Sequence, residues 1–78
     1  MKTMICKELG GACSKEFKGE TFEEIAEQSK QHGMEMFRSQ DAEHLEAMVE
    51  MQKLMQDSAA MSEWFFKKKE EFDALPDN

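Results

Sequence analysis

The two cysteines of this chain, Cys6 and Cys13, stand on either side of a Gly10-Gly11 pair in a sequence of only 78 residues, and that arrangement leaves few folds open. A domain this small buries roughly 60% of the surface its unfolded chain exposes, so its core is marginal, and a metal, a crosslink or a second subunit supplies what the core lacks. Glycine takes positive φ at little cost, so a Gly-Gly pair between two short segments predicts a hairpin reversal. Residues 2–7 (Lys-Thr-Met-Ile-Cys-Lys) and 13–18 (Cys-Ser-Lys-Glu-Phe-Lys) read as its two strands within an N-terminal unit of residues 1–20. Alternation puts Met4, Cys6 and Leu9 on related faces and Cys13, Lys15 and Phe17 on another, so one sulfur from each strand meets its counterpart near the turn.

Helical signals follow. Thr21-Phe22-Glu23-Glu24 fits a capping box, with the Thr21 hydroxyl accepting from the first turn and Glu24 reaching back. Apolar or small residues at Phe22, Ile25, Ala26, Ser29, Gly33, Met36 and Phe37 keep helical spacing, which predicts a helix over 21–38. Gly33 falls on that stripe and reads as a point of close packing inside a continuous helix, at a cost of about 1 kcal/mol relative to alanine. Asp41 is a suitable N-cap for a second helix over 41–56, with Leu45, Met48, Val49, Gln52 and Met55 inward. After a break at Asp57-Ser58, a third helix over 58–75 presents Met61, Trp64, Phe65, Lys68, Phe72 and Leu75 to the core or a partner, and Pro76 closes it. The expected fold is α+β: a two-stranded hairpin and three helices in one domain, 1–78.

No apolar run approaches the roughly 20 residues a membrane span needs, and Met1–Glu8 lacks the apolar stretch of a signal peptide. Gly10-Gly11-Ala12-Cys13 ends like a lipoprotein cleavage site, but Lys2, Lys7 and Glu8 occupy the region where the apolar segment belongs. A cytoplasmic location is therefore expected, where a cysteine pair is more often a metal or redox pair than a structural disulfide. The net charge is −7, with ten acids against Lys53, Lys67, Lys68 and Lys69 in residues 41–78. Such a chain repels phosphate backbones, which argues against nucleic acid as a partner.

Thiolates and imidazoles are the side chains that hold zinc and similar soft or borderline ions. The chain has two of each: Cys6, Cys13, His32 and His44. The six residues between the cysteines exceed the two to four of most zinc knuckles, so spacing alone leaves three outcomes open: metal ligation, free structural thiols, or a disulfide that makes the pair a redox sensor. A Cys6 or Cys13 nucleophile with His32 as base is the one catalytic arrangement these residues offer, and no phosphate loop, acid–base pair or Ser-His-Asp set accompanies it. An enzyme is not expected.

The order Cys6, Leu9-Gly10, Cys13, a helix beginning at Thr21-Phe22-Glu23-Glu24, and His32-Gly33 resembles the N-terminal half of the family of predicted small metal-binding proteins, a domain of unknown function. The resemblance implies a zinc-type site on Cys6, Cys13 and His32. Such proteins usually carry a further histidine about a turn and a half before His-Gly, where this chain has Glu27, so the fourth position would fall to Glu27, His44 or water.

Eight methionines form the second unusual feature. Met48, Met51, Met55 and Met61, with Trp64, Phe65 and Phe66, give the C-terminal helices a soft apolar surface that is either core or a contact for a partner protein or a second subunit. Trp64, Phe65 and Phe66 are consecutive, and one helix face cannot bury all three. Lys67, Lys68 and Lys69 lie among Glu63, Glu70, Glu71 and Asp73, which reads as a solvated face with pairs such as Glu63–Lys67. The expected function is a small soluble metal-binding module with a structural or sensory role; the alternatives are a metal-free interaction module and a thiol redox sensor.

Overall fold

A computed structural model of the chain describes residues 1–77. Strands β1 (Lys2–Ile5) and β2 (Glu16–Gly19) pair antiparallel, and helices α1 (Phe22–Ser39), α2 (Ala42–Met55) and α3 (Ser58–Ala74) follow. This is the expected hairpin and three helices, with one difference in the reversal. Gly10-Gly11 does not form a two-residue hairpin turn. Residues 6–15 make a longer excursion that begins with one turn of 3-10 helix, Cys6–Leu9, and Gly10 ends it at φ +86°. The ladder is correspondingly shorter than 2–7 against 13–18. Below it, the Cys6 N–H donates to the Lys15 carbonyl (2.9 Å) and the Lys7 N–H to the Cys13 carbonyl (3.0 Å), which brings the two cysteine backbones side by side.

Met4 and Phe17 are directly opposed in the ladder and both are almost wholly buried. They form the floor on which α1 packs with Phe22 and Ile25. Gln28 on α1 accepts from the Lys18 N–H (3.3 Å) and donates to the Lys18 carbonyl (2.6 Å), so a side chain takes the place of a third strand. That capping of an edge strand removes a row of free backbone groups. The C-terminal end of α3 closes the core: Phe72 meets Phe22 at 5.9 Å between ring centroids, Phe65 meets Phe22 edge-on at 5.1 Å, and Lys2 lies over the Phe72 ring while donating to the Asp73 carbonyl (2.9 Å).

Each helix start is explained by a local acceptor. Thr21 Oγ1 accepts from the Glu24 N–H, Asp41 Oδ2 from the His44 N–H, and Asp57 Oδ1 from the N–H groups of Ala59 and Ala60. The Glu24 carboxylate reaches back to the Glu20 N–H, so the first cap is reciprocated one residue earlier than the Thr21 capping box predicts. At the end of α1, Gln40 takes φ 56°, the one positive φ outside glycine among the described residues, and turns the chain sharply into α2.

The apolar core is small, and several residues with inward periodicity are not in it. Phe37 is 63% exposed, Val49 50% and Met55 57%. The body measures 33 × 29 × 15 Å, and the hollow that Val49 and Met55 line along α2 has only Phe37 of α1 beside the residues of α2 itself. Gly33 is not a close-packing point either: a Cβ there would meet only Met48 Cε, at 4.0 Å. Gly33→Ala is therefore expected to stabilise the fold by about 0.5–1 kcal/mol through helix propensity and a less flexible unfolded chain. Thermal unfolding should show this as a midpoint raised by roughly 2–8 °C; an unchanged or lower midpoint would mean that the glycine is needed.

Candidate metal centre

The 3-10 turn presents Cys6 inward as its first residue, and Cys13 enters from the far end of the same loop. His32 lies two helical turns beyond the buried Ile25 on the same face of α1, and packs on Phe17 at 5.7 Å between ring centroids. His44 is the third residue of α2, placed there by the Asp41 cap. The two imidazoles are 7% and 6% exposed. They meet edge to face at 5.2 Å.

One donor atom from each of Cys6, Cys13, His32 and His44 falls within 4.8 Å of every other. Cys13 Sγ lies 3.3 Å from His32 Nε2 and Cys6 Sγ 3.6 Å from His44 Nε2. A tetrahedral zinc ion with its usual bond lengths sets a sulfur and a nitrogen about 3.6 Å apart, so these distances are already close to two edges of the coordination tetrahedron. Both cysteines are free thiols. The donor set fits a metal ion of the tetrahedral, thiolate–imidazole kind.

The surroundings suit that role. Asp41 Oδ2 accepts from His44 Nδ1 at 2.6 Å, which turns Nε2 toward the cluster, the carboxylate–histidine arrangement found behind many metal ligands. This contact draws the Asp41 pKa below the usual carboxylate value and raises that of His44. Burial, aided by the neighbouring His44 charge, lowers the pKa of His32. Burial raises the Cys6 thiol, against the backbone N–H groups of Cys13 and Ala12, which favour its thiolate. For Cys13 burial is outweighed: the Lys15 N–H, the His44 imidazole and the Cys6 thiol together bring its pKa down.

Gly11 is a steric condition for this geometry. A Cβ on it would stand 2.1 Å from Cys6 Sγ and 3.0 Å from the Cys6 carbonyl oxygen. The loop can pass this close to the sulfur only because nothing projects there. A hollow of about 120 Å³ opens beside the cluster between the loop, α1 and α2.

Of the expected donors, Cys6, Cys13 and His32 converge, and His44 supplies the fourth. Glu27 does not take part: it is exposed and accepts from Gln31 Nε2 at 3.2 Å. It lies five positions before His32, which turns it about 140° around the helix, away from the loop. Asp41 is the residue that sequence reasoning used as a cap and missed as a histidine partner; an Asp three residues before a His at a helix start was the available signal.

The Met and aromatic residues divide by position. Met48 and Met51 are half-buried on the inner side of α2, and Met51 Sδ would lie 2.8 Å from a Cβ at Gly10. Trp64 is half-buried beside Leu54 and Ala60, with Lys68 Nζ 6.0 Å from its ring. Met55, Met61, Phe65 and Phe66 line a separate groove of about 660 Å³. The expected Glu63–Lys67 pair forms at 3.9 Å on a solvated face. No helix among the described residues is long and apolar enough to cross a membrane. Comparison with known proteins finds no matching family model, no similar curated protein and no similar solved structure.

Gly11→Ala is expected to push the Cys6 sulfur out of the cluster and to destabilise the fold by about 1–3 kcal/mol as an overpacked site. Thiol-reagent kinetics with a chelator present should show the slower cysteine becoming faster, with a lower thermal midpoint. Unchanged thiol kinetics would show that the loop has room at that point.

Proposed function

We propose that this chain is a zinc-binding protein in which Cys6, Cys13, His32 and His44 hold one ion, and that the ion's role is structural. The observation that carries the reading is the convergence of these four donor atoms within 4.8 Å, drawn from a loop and two different helices. Two cysteine sulfurs and two imidazole nitrogens in one set favour zinc over calcium or magnesium, which take oxygen ligands. Four protein donors leave no open position for a substrate, and for that reason we assign no catalytic activity. The ion would tie the N-terminal loop to α1 and to the start of α2, a helix whose one buried residue is His44 itself. The likeness of Cys6, Leu9-Gly10, Cys13 and His32-Gly33 to the predicted small metal-binding proteins supports the same reading. Two cysteines held as thiols suit a reducing compartment, and we assign the protein to the cytoplasm on that ground.

Native mass spectrometry of the reduced protein, loaded with zinc and desalted, tests the assignment. One bound ion is expected in the parent chain and none in Cys6→Ser, with cobalt substitution giving the visible absorption of a tetrahedral thiolate site. A parent chain that stays at its apo mass with both thiols free would overturn it.

Asp41→Asn keeps an acceptor for the helix cap and removes the charge behind His44. Chelator competition should show zinc affinity lower by about 10–100-fold, with little change in helix content. Equal affinity would show that Asp41 only caps the helix.

A further inference from the structure

Outside the metal centre, the largest unexplained feature is an apolar face that runs across all three helices. Six of the exposed large apolar side chains are Met34, Phe37, Val49, Met55, Phe65 and Phe66, between 42% and 63% exposed. They do not lie scattered. A hollow at the end of α1 and one along α2 share Phe37 and Met48, and the hollow along α2 shares Met55 with the groove on α3. The three depressions, of about 340, 370 and 660 Å³, therefore form one continuous surface. On α2 its line is Leu45, Val49, Gln52 and Met55, a helical stripe that the fold leaves outward.

We propose that a second copy of this chain docks on this face, giving a symmetric dimer with the outer stripes of the two α2 helices near the axis. Area argues for it. The chain exposes 5414 Å², whereas a compact monomer of 9.1 kDa exposes roughly 4,900 Å². The surplus goes with the 15 Å thickness of the body, which is one layer of helix on a hairpin where stable domains of this kind bury their helices on a further layer. A standard interface removes about 800 Å² from each partner. That would bring the exposed area of each chain below the value for a compact monomer, and six large side chains grouped on one face are enough to supply its apolar centre. An identical partner satisfies the requirement by rotation alone, since an isologous contact needs only a self-complementary patch. No charged residue lines the hollow along α2, and Lys30, Arg38 and Lys69 line the two depressions on either side of it.

Sedimentation equilibrium of the reduced, zinc-loaded protein over a wide range of concentration tests the proposal. A species of twice the chain mass is expected, dissociating on dilution. Val49→Glu and Phe66→Glu alter residues that are half or more exposed in the single chain, so each should keep its helical circular dichroism. Together they should raise the dimer dissociation constant at least about 100-fold. A parent protein that remains monomeric at the highest concentration overturns the proposal. So does a dimer that survives both substitutions, since its interface would lie elsewhere. Vesicle binding or capture of a different protein by a monomeric parent chain would assign the face to another occupant and likewise overturn it.

Discussion

Four donor atoms from residues 6, 13, 32 and 44 share a space less than 5 Å across, and this convergence requires the loop, α1 and α2 to be fixed relative to one another. Each contributes a different restraint. The loop is held by backbone bonds from Cys6 to Lys15 and from Lys7 to Cys13. The helix α1 is held by Ile25 and Phe22 in the core and by Gln28 on β2. The helix α2 has far less: its start is set by the Gln40 turn and the Asp41 cap, and its only fully buried side chain is His44. An ordinary helix of that length is anchored by several apolar residues. Here half-buried side chains such as Met48 and Met51 are joined at one end by polar chemistry, a carboxylate, an imidazole and a thiol in a row from Asp41 through His44 to Cys6.

The two sides of α2 then have different occupants. Its inner side meets the cysteine loop through His44, Met48 and Met51; its outer side carries the apolar stripe assigned above to a second copy. A metal ion on one side and a partner chain on the other would each supply part of the burial that a 78-residue sequence cannot provide for itself.

How far the sequence could be read depended on the range of the interactions involved. The first two helix starts were legible because Thr21 and Asp41 act on backbone N–H groups three residues away, whereas Asp57, read only as part of a break, caps the third. The pairing of Cys6 with Cys13 was legible because both lie on one short reversal, although the reversal itself was misread: Gly10 ends a 3-10 turn and Gly11 clears space for a sulfur, so the glycines serve the loop and not a tight hairpin. The choice between Glu27 and His44 was partly within reach, since helical geometry alone turns Glu27 away from His32, but placing His44 needs the angle at Gln40, which no local pattern encodes. The apolar stripe on α2 shows the same limit. Periodicity identifies Val49 and Met55 as one side of a helix and is silent on whether their own chain covers them.

The helix α3 stands outside the polar convergence. It joins the body through Phe65, Phe72 and Leu75 on Phe22 and its neighbours, and through Lys2, while residues 6 to 44 are linked by sulfur and imidazole. The two parts answer to different variables. Apolar docking weakens on cooling and in denaturant, whereas a thiolate–imidazole cluster answers to protons and chelators. With zinc bound as proposed, the one core that holds Cys6 and Phe72 together would transmit a change in protons or chelator to α3 as well, so the stability of the whole domain becomes a property of the solution as much as of the sequence.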